Sequence, residues 1–119
     1  MILAIIGQRE LTEEQVSPIV LDAISKLNPS KIVSGGAKGV DSIAVSIAKS
    51  LSLTTEEFLP EFKSQSRADI VMGYYERNMR IVNACDAVLA IVGNRKTGGT
   101  YYTIGYAEKM GKPITICHV

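Results

Sequence analysis

The sequence predicts an α/β protein, a three-layer open sandwich whose mainly parallel, five-stranded sheet carries helices on both faces. Short apolar runs alternate along the chain with amphipathic stretches. Two of these runs, residues 2–6 and 86–92, consist almost entirely of Ile, Leu, Ala and Val, which is typical of parallel strands buried on both faces. Strands and helices therefore alternate, and right-handed crossovers between neighbouring parallel strands produce this fold class.

Five strands are expected from the apolar runs and their flanking turn residues. In chain order they are Ile2–Ile6, Lys31–Ser34, Thr54–Leu59, Asp86–Val92 and Pro113–Cys117.

The first helix has two candidate starts. Thr12 and Gln15 have the spacing of a capping box, whereas Pro18 is suited to the first position of a helix that begins later. Asn28 and Pro29 end the helix in either case.

The other three helices follow from apolar periodicity. Residues 40–51 place their apolar side chains three and four positions apart, as on one buried helix face. A third helix is expected over 68–84, with Gly73 as the candidate point of interruption. The fourth begins near Gly99–Thr100 and ends at Gly111. The complete order, βαβαβαβαβ, predicts a Rossmann-like sheet.

Length and composition predict one compact domain over residues 1–119. The chain has a mass of 12.9 kDa, contains 46% hydrophobic residues, and shows no internal repeat or linker. Thirteen basic and twelve acidic residues give a net charge of +1, which excludes a surface that attracts polyanions as a whole. Residues 63–96 contain six of the basic residues and three of the acidic ones, a modest excess that suits a small anion.

No apolar run approaches the ~20 residues of a membrane span, so no membrane association is expected. Residues 2–6 are apolar, but no basic segment precedes them, so they indicate a buried strand and not a signal peptide. A cytoplasmic location is the expectation. Cys85, Cys117 and His118 form no usual zinc or iron–sulfur ligand set, so no metal site is expected.

Ligands of open α/β sheets bind beyond the carboxyl ends of the strands, where the strand order reverses. The relevant loops are 7–11, 34–39, 60–67 and 93–100. In the second of them, a glycine-rich segment follows a strand and opens an amphipathic helix, where backbone N–H groups can bind an anion. Its candidate ligand-binding residues are Ser34, Gly35, Gly36, Ala37, Lys38, Gly39 and Asp41.

This segment has a simpler interpretation as a tight turn in which Asp41 complements the helix dipole. It lacks the Gly-Lys-Ser/Thr of a P-loop and the GxGxxG of dinucleotide-binding folds, which disfavours both kinds of site.

A second glycine-rich turn, residues 93–100, also joins a buried strand to a helix. Gly98, Gly99 and Thr100 are candidate phosphate contacts, and Arg95-Lys96 places two cations beside them. The alternative is a solvated loop. Two such turns on one sheet edge favour a ligand site more strongly than either turn alone.

Two further segments complete the expected cleft. Arg77 and Asn78 can hold a phosphate or a base edge, although such a pair by itself is more typical of a surface ion pair. Gly7, Gln8 and Arg9 follow the first strand and are candidates because of that position.

The sequence contains no Ser-His-Asp, Cys-His or paired-carboxylate arrangement that would identify a catalytic site. Asp41 and Glu76 are the weak candidates for an acid–base group. Tyr102 and Tyr106 share a helix face and predict core or subunit contacts.

These segments, taken in order, resemble the SLOG superfamily. The resemblance rests on Ser34-Gly-Gly-Ala-Lys-Gly-Val-Asp41, Arg77-Asn78, the strand 86–92 and Gly98-Gly-Thr100. It is strongest to the small stand-alone cpYpsA-related members, and it covers nearly the whole chain. It implies a Rossmann-like fold that binds a nucleotide or nucleotide-derived ligand across these loops, and a homo-oligomer.

Three relatives within the superfamily imply sharper functions. The LOG enzymes, labelled lysine decarboxylase-like, carry glutamates after PGGxGT and release free bases from nucleoside monophosphates. Here Tyr101, Tyr102 and Thr103 follow the Gly-Gly-Thr motif, so those carboxylates are missing. The DNA-processing protein A family has a loop similar to residues 34–41 and binds single-stranded DNA, for which a basic groove is needed. Molybdenum-cofactor carriers share the fold and the Gly-Gly-Thr loop.

The leading hypothesis is binding or sensing of a small phosphorylated nucleotide, with no cofactor assigned. An N-glycosidic hydrolase, a single-strand DNA-binding protein and a molybdenum-cofactor carrier are the alternatives, and nucleic acid is the less favoured partner.

Overall fold

A computed structural model describes residues 1–94 and 98–119 and confirms the α/β fold class. Five strands and four helices alternate along the chain. In order they are β1 (Ile2–Gly7), α1 (Glu13–Leu27), β2 (Lys31–Gly35), α2 (Val40–Ser50), β3 (Thr54–Phe58), α3 (Arg67–Asn83), β4 (Ala87–Val92), α4 (Gly99–Lys109) and β5 (Ile114–His118).

The strands form one parallel sheet in the order β3-β2-β1-β4-β5. From β1 the chain moves outward through β2 to β3, and α3 then returns it to β4 on the other side of β1. In the register, Ala4 of β1 is opposite Val33 on one side and Val88 on the other. The strand order therefore reverses between β1 and β4, which is where a ligand crevice opens in such sheets.

Both faces of the sheet are covered, as expected for the three-layer arrangement. Along β1, Leu3 and Ile5 pack into a core formed with α1 and α2. Ala4 and Ile6 point to the opposite face and pack into a second core formed with α3 and α4. This alternation explains the continuous apolar character of β1, because both of its faces are buried.

Helix α1 begins at the capping box. The side chain of Thr12 accepts a hydrogen bond from the backbone of Gln15, whose side-chain oxygen accepts from the backbone N–H of Thr12 at 3.0 Å. The helix then continues through Pro18 to Leu27, so the later start is not used.

Helix α3 runs through Gly73, so the candidate interruption at that glycine does not occur. A β-carbon at Gly73 would lie 2.5 Å from the carbonyl oxygen of Glu61 and 2.5 Å from a ring carbon of Phe62. The glycine therefore permits close packing of α3 against the preceding loop instead of ending the helix.

Among the residues that the structure describes, no helix combines the length and the apolar character that crossing a membrane requires.

Candidate functional site

A cleft of about 510 Å³ lies at the point where the strand order reverses. Four parts of the chain form its walls: the loop after β1, the entry to α2, the middle of α3 and the first turn of α4. The lining residues are Ile6, Gly7, Gln8, Arg9, Ala37, Asp41, Val71, Tyr74, Tyr75, Arg77, Asn78, Ile81, Gly99, Thr100 and Thr103.

Nine of the residues that the sequence singles out for ligand binding line this one cleft. They are Gly7, Gln8, Arg9, Ala37, Asp41, Arg77, Asn78, Gly99 and Thr100. The two glycine-rich turns and the Arg77-Asn78 pair are distant in sequence, so the fold is what brings them together.

The other candidates on the first glycine-rich turn do not line the cleft. Ser34 and Gly35 are buried at the end of β2, while Gly36 and Lys38 are exposed to solvent. Gly39 caps α2 with a φ of 76°, and a β-carbon there would lie 2.5 Å from the carbonyl oxygen of Arg9. This glycine is therefore needed where the loops after β1 and β2 touch.

The second turn is only partly described. Gly98 is the exposed N-cap of α4 and has a φ of 110°. Arg95, Lys96 and Thr97 lie outside the described residues, so the two cations predicted for this loop have no structural account.

Glu76 lies apart from the cleft. It is exposed on α3 and lines a second cavity of about 440 Å³, together with Glu61 and Arg80. The loop over residues 60–67 contributes to that cavity and provides none of the residues found to line the cleft.

Arg77 is buried rather than paired on the surface, with only 7% of its surface exposed. Its Nε donates to Asn78 Oδ1 at 2.9 Å, and its Nη1 donates to the carbonyl oxygen of Phe58 at 3.3 Å. Its guanidinium also lies 5.5 Å from the centre of the Tyr74 ring. Burial lowers the pKa of Arg77, and the nearby Asp41 carboxylate opposes that effect. These contacts fix a cation against the cleft wall.

Asp41 approaches the same guanidinium from α2. A β-carbon on Gly35 would lie 2.6 Å from Asp41 Oδ2 and 2.8 Å from Arg77 Nη1, so the two atoms are separated by no more than the sum of those distances. Asp41 is 6% exposed. Burial raises the pKa of Asp41 to about 6, although Arg77 and the backbone N–H of Ala37 favour the carboxylate. The cleft thus contains a carboxyl group that titrates near neutral pH.

Gln8 connects the two loops that flank the reversal point. It is 5% exposed, and its side-chain oxygen accepts a hydrogen bond from the backbone N–H of Gly93 at 2.8 Å. This contact fixes the exit of β4 relative to the exit of β1. Gln8 is a candidate in the sequence only because it follows the first strand. In the structure its side chain links the ends of β1 and β4.

Aromatic side chains on α3 form a wall that the sequence analysis did not assign to the site. The Tyr75 ring stacks on Tyr102 with centroids 4.0 Å apart, and Tyr74 meets Phe62 edge to face at 5.4 Å. Tyr106 instead donates to Asn83 Oδ1 at 3.2 Å.

The signal for this wall is present in the sequence. Val71, Tyr74, Asn78 and Ile81 recur at the three- and four-residue spacing of one helix face. If Asn78 contacts a ligand, this spacing predicts that Val71, Tyr74 and Ile81 line the same cleft.

The arrangement suits binding of a small anion joined to an apolar or planar group. Two helices begin at the cleft, one buried arginine points to it, and its α3 side is aromatic and apolar. In the described ranges, 1–94 and 98–119, no three His, Cys, Asp or Glu residues are close enough to hold a metal ion.

Comparisons with known proteins identify the fold through solved structures. No protein-family model matches the sequence, and no curated protein matches it. DNA processing protein A (DprA) from Streptococcus pneumoniae superposes with a TM-score of 0.73 at 20% identity, over 96% of this chain and 49% of that one. The structural-genomics target TM1055 superposes with a TM-score of 0.69 at 17% identity, over 95% of this chain and 71% of that one.

The chain thus spans about half the length of the DprA chain. At these identities the likeness concerns the fold. Together with the five parallel strands, it confirms the Rossmann-like architecture that the resemblance to the SLOG superfamily implies.

Proposed function

We propose that this protein binds a small phosphorylated nucleotide, or a ligand derived from one, in the cleft between β1 and β4. The observation that carries the proposal is the position of Arg77: a buried, hydrogen-bonded cation in a cleft of about 510 Å³ at the reversal point of the sheet. That volume falls within the range of about 300–1,000 Å³ that is usual for small-ligand pockets.

The proposed orientation places the phosphate between Arg77 and the start of α4. No side chain of the described residues caps that helix, so the backbone N–H groups at Gly99 and Thr100 are suited to an anion. Arg9 is exposed at the rim of the cleft and adds a second positive charge. The sugar and base would then lie along the aromatic side, next to Tyr74 and Tyr75.

Calorimetric titration with AMP, GMP, CMP and UMP, and with the corresponding nucleosides, tests this function. We expect at least one nucleotide to bind, and we expect its nucleoside to bind much more weakly. Arg9→Ala should weaken nucleotide binding about 10- to 150-fold, since a charge-assisted hydrogen bond contributes about 1.5–3 kcal/mol.

Lys49→Ala is the matched control for that variant. Lys49 is an exposed cation in the last turn of α2, at the opposite end of the helix from the cleft. Its removal changes the net charge equally and should leave affinity unchanged. The proposal fails if no nucleotide binds, or if nucleosides bind as tightly as nucleotides.

Hydrolysis of an N-glycosidic bond is a second candidate, and the state of Asp41 is the observation that favours it. A buried carboxyl with a pKa of about 6 in a ligand cleft suits general acid–base catalysis near neutral pH. In this reaction water adds to C1′ of the ribose phosphate and the bond to the base breaks. Asp41 gives its proton to the departing base, and the proton that the attacking water loses restores the protonated carboxyl.

Chromatography of the four nucleotides after incubation with the protein tests hydrolysis. Free base should accumulate with the wild type and not with Asp41→Asn. Absence of free base with nucleotides that bind eliminates the enzyme and keeps the binding function.

Binding of single-stranded DNA is a third candidate because DprA has a similar fold. Phosphate contacts make such binding fall steeply with salt, so oligonucleotide titrations at two salt concentrations identify it. No binding at low salt eliminates this candidate.

A further inference from the structure

Asp41 and Arg77 share one end of the cleft. Both side chains line it, and both approach the single position above Gly35 where a side chain is missing. An anion that reaches the Arg77 guanidinium therefore comes close to a carboxyl group as well.

The guanidinium still has donors for such an anion. Arginine carries five N–H groups. The Nε–H is used by Asn78 and one Nη1–H by the carbonyl oxygen of Phe58. Both acceptors hold the group in place, and the remaining N–H groups can serve either Asp41 or a ligand.

The hydroxyl of Ser34 acts on Asp41 in the same direction as the arginine. Ser34 lies in β2, and its hydroxyl donates a hydrogen bond to the carbonyl oxygen of Ile5 at 2.5 Å. Its interaction with Asp41 lowers the pKa of that carboxyl and therefore favours the carboxylate.

The groups that favour the Asp41 carboxylate come from four parts of the chain. Arg77 faces it from α3, Arg9 from the loop after β1, the backbone of Ala37 from the turn before α2, and the Ser34 side chain from β2. Tyr74 and Arg80 in turn face Arg77. The two arginines stabilise the carboxylate, yet burial still raises the pKa of Asp41 to about 6. A phosphate that neutralised these cations would remove the main stabilisation of the charged form.

We infer that the anionic group of the ligand and the Asp41 carboxylate compete for Arg77, so that the ligand binds together with one proton, which Asp41 takes up from solvent. This inference rests on the proposed function, since it describes how the same cleft accepts a phosphate. It makes ligand affinity fall as pH rises and gives the cleft a response to acidification. No covalent bond changes in the step.

Proton uptake during nucleotide binding tests the inference directly. Titrations of AMP, GMP, CMP and UMP are performed near pH 7 in two buffers of different ionisation enthalpy, and the difference in heat gives the number of protons bound. The Asp41→Asn variant keeps the shape of the side chain and cannot titrate. We expect the wild type to take up about half a proton or more beyond that variant.

The comparison with Asp41→Asn cancels protons that bind to the phosphate itself. Asp22→Asn is the matched control, because Asp22 is an exposed carboxylate on α1 that pairs with Lys26. That variant should take up as many protons as the wild type.

A second measurement uses only the wild-type protein. Inorganic sulfate keeps a constant charge across the neutral range, so its affinity reports the protein alone. We expect the sulfate Kd to rise with pH above about 6, towards tenfold per pH unit.

The outcomes separate this inference from the function on which it rests. Nucleotide binding with equal proton uptake in the wild type and Asp41→Asn overturns the inference and leaves the function. A sulfate Kd that does not change with pH also overturns it. Failure of every nucleotide to bind overturns both.

Discussion

Asp41 and Arg77 are both almost fully buried, and two opposing effects act on the carboxyl group. Removal from water disfavours its charged form, and the adjacent guanidinium favours it. Burial is the larger effect, which is why the pKa of Asp41 rises to about 6 despite the arginine. A pKa of about 6 leaves most of the Asp41 carboxyl ionised at neutral pH, and its protonation state there depends on what else occupies the cleft.

The raised pKa predicts how Asp41→Asn changes stability with pH. The carboxyl binds its proton more tightly in the folded protein than in the unfolded chain, so the wild type loses stability as pH rises from about 4 to about 6. The Asp41→Asn variant has no carboxyl at this position and does not lose stability in this way. Because one pKa unit corresponds to about 1.4 kcal/mol, its stability relative to the wild type should rise by up to about 3 kcal/mol between pH 4 and pH 7.5.

Urea denaturation of both proteins across that range measures the effect. Asp22→Asn, on the exposed side of α1, should follow the wild-type profile. If the difference in free energy of unfolding between Asp41→Asn and the wild type did not change with pH, the raised pKa of Asp41 would be contradicted.

Among single residues, the sequence predicted the candidates better than it predicted their environments. The sequence identified both Asp41 and Arg77 as candidates. Considered by itself, however, the Arg77-Asn78 pair is more typical of a surface ion pair. The burial of Arg77 depends on α3 packing beside the end of β3, where its guanidinium reaches the Phe58 carbonyl. That hydrogen bond joins residues 19 positions apart in the sequence, so it cannot be predicted from the periodicity of one helix.

Helix α3 shows that a glycine within a helix can either interrupt it or permit close packing against another segment. Glycine lowers helix propensity by about 1 kcal/mol relative to alanine, which makes Gly73 a candidate point of interruption. The helix continues because the absent side chain lets α3 lie against Glu61 and Phe62. The benefit comes from packing against another part of the chain, and local propensity carries no information about it.

Two glycine-to-alanine changes separate propensity from packing. Gly73→Ala should destabilise the protein by about 1–3 kcal/mol, because its β-carbon would meet the Glu61 backbone at 2.5 Å. Gly105→Ala, within α4, meets nothing within 4 Å and should stabilise by up to about 1 kcal/mol.

Chemical denaturation of the two variants and the wild type measures both changes. If Gly73→Ala were stabilising to the same extent as Gly105→Ala, the close contact between α3 and the loop would be disproved.

For the complete sheet, the sequence predicted the element order and the parallel arrangement, because both follow from apolar periodicity along the chain. It did not determine which strands are neighbours. The order β3-β2-β1-β4-β5 depends on α3 returning the chain to the far side of β1. Only this arrangement shows that the loop after β1 and the first turn of α4 border one cleft, while residues 60–67 provide none of its lining residues.

Self-association is predicted for the assembled protein. The resemblance to the SLOG superfamily implies a homo-oligomer, and large apolar side chains remain exposed after β3 and at the start of α3: Leu59 is 62% exposed, Phe62 44% and Met72 49%. Sedimentation equilibrium should give a mass of at least twice 12.9 kDa. A mass equal to one chain at micromolar concentration contradicts the prediction.

The pairing of β1 with β4 has a consequence for how the chain acquires its structure. The backbone N–H of Ile2 binds the carboxylate of Asp86 at 2.7 Å, although the two residues are 84 positions apart. During synthesis, β1 can pair with β2 early, but its other edge must wait until most of the chain has emerged. Contacts between such distant segments slow folding, because a long loop must close before they form. The cleft, which lies at this seam, is therefore expected to be among the last parts of the molecule to form.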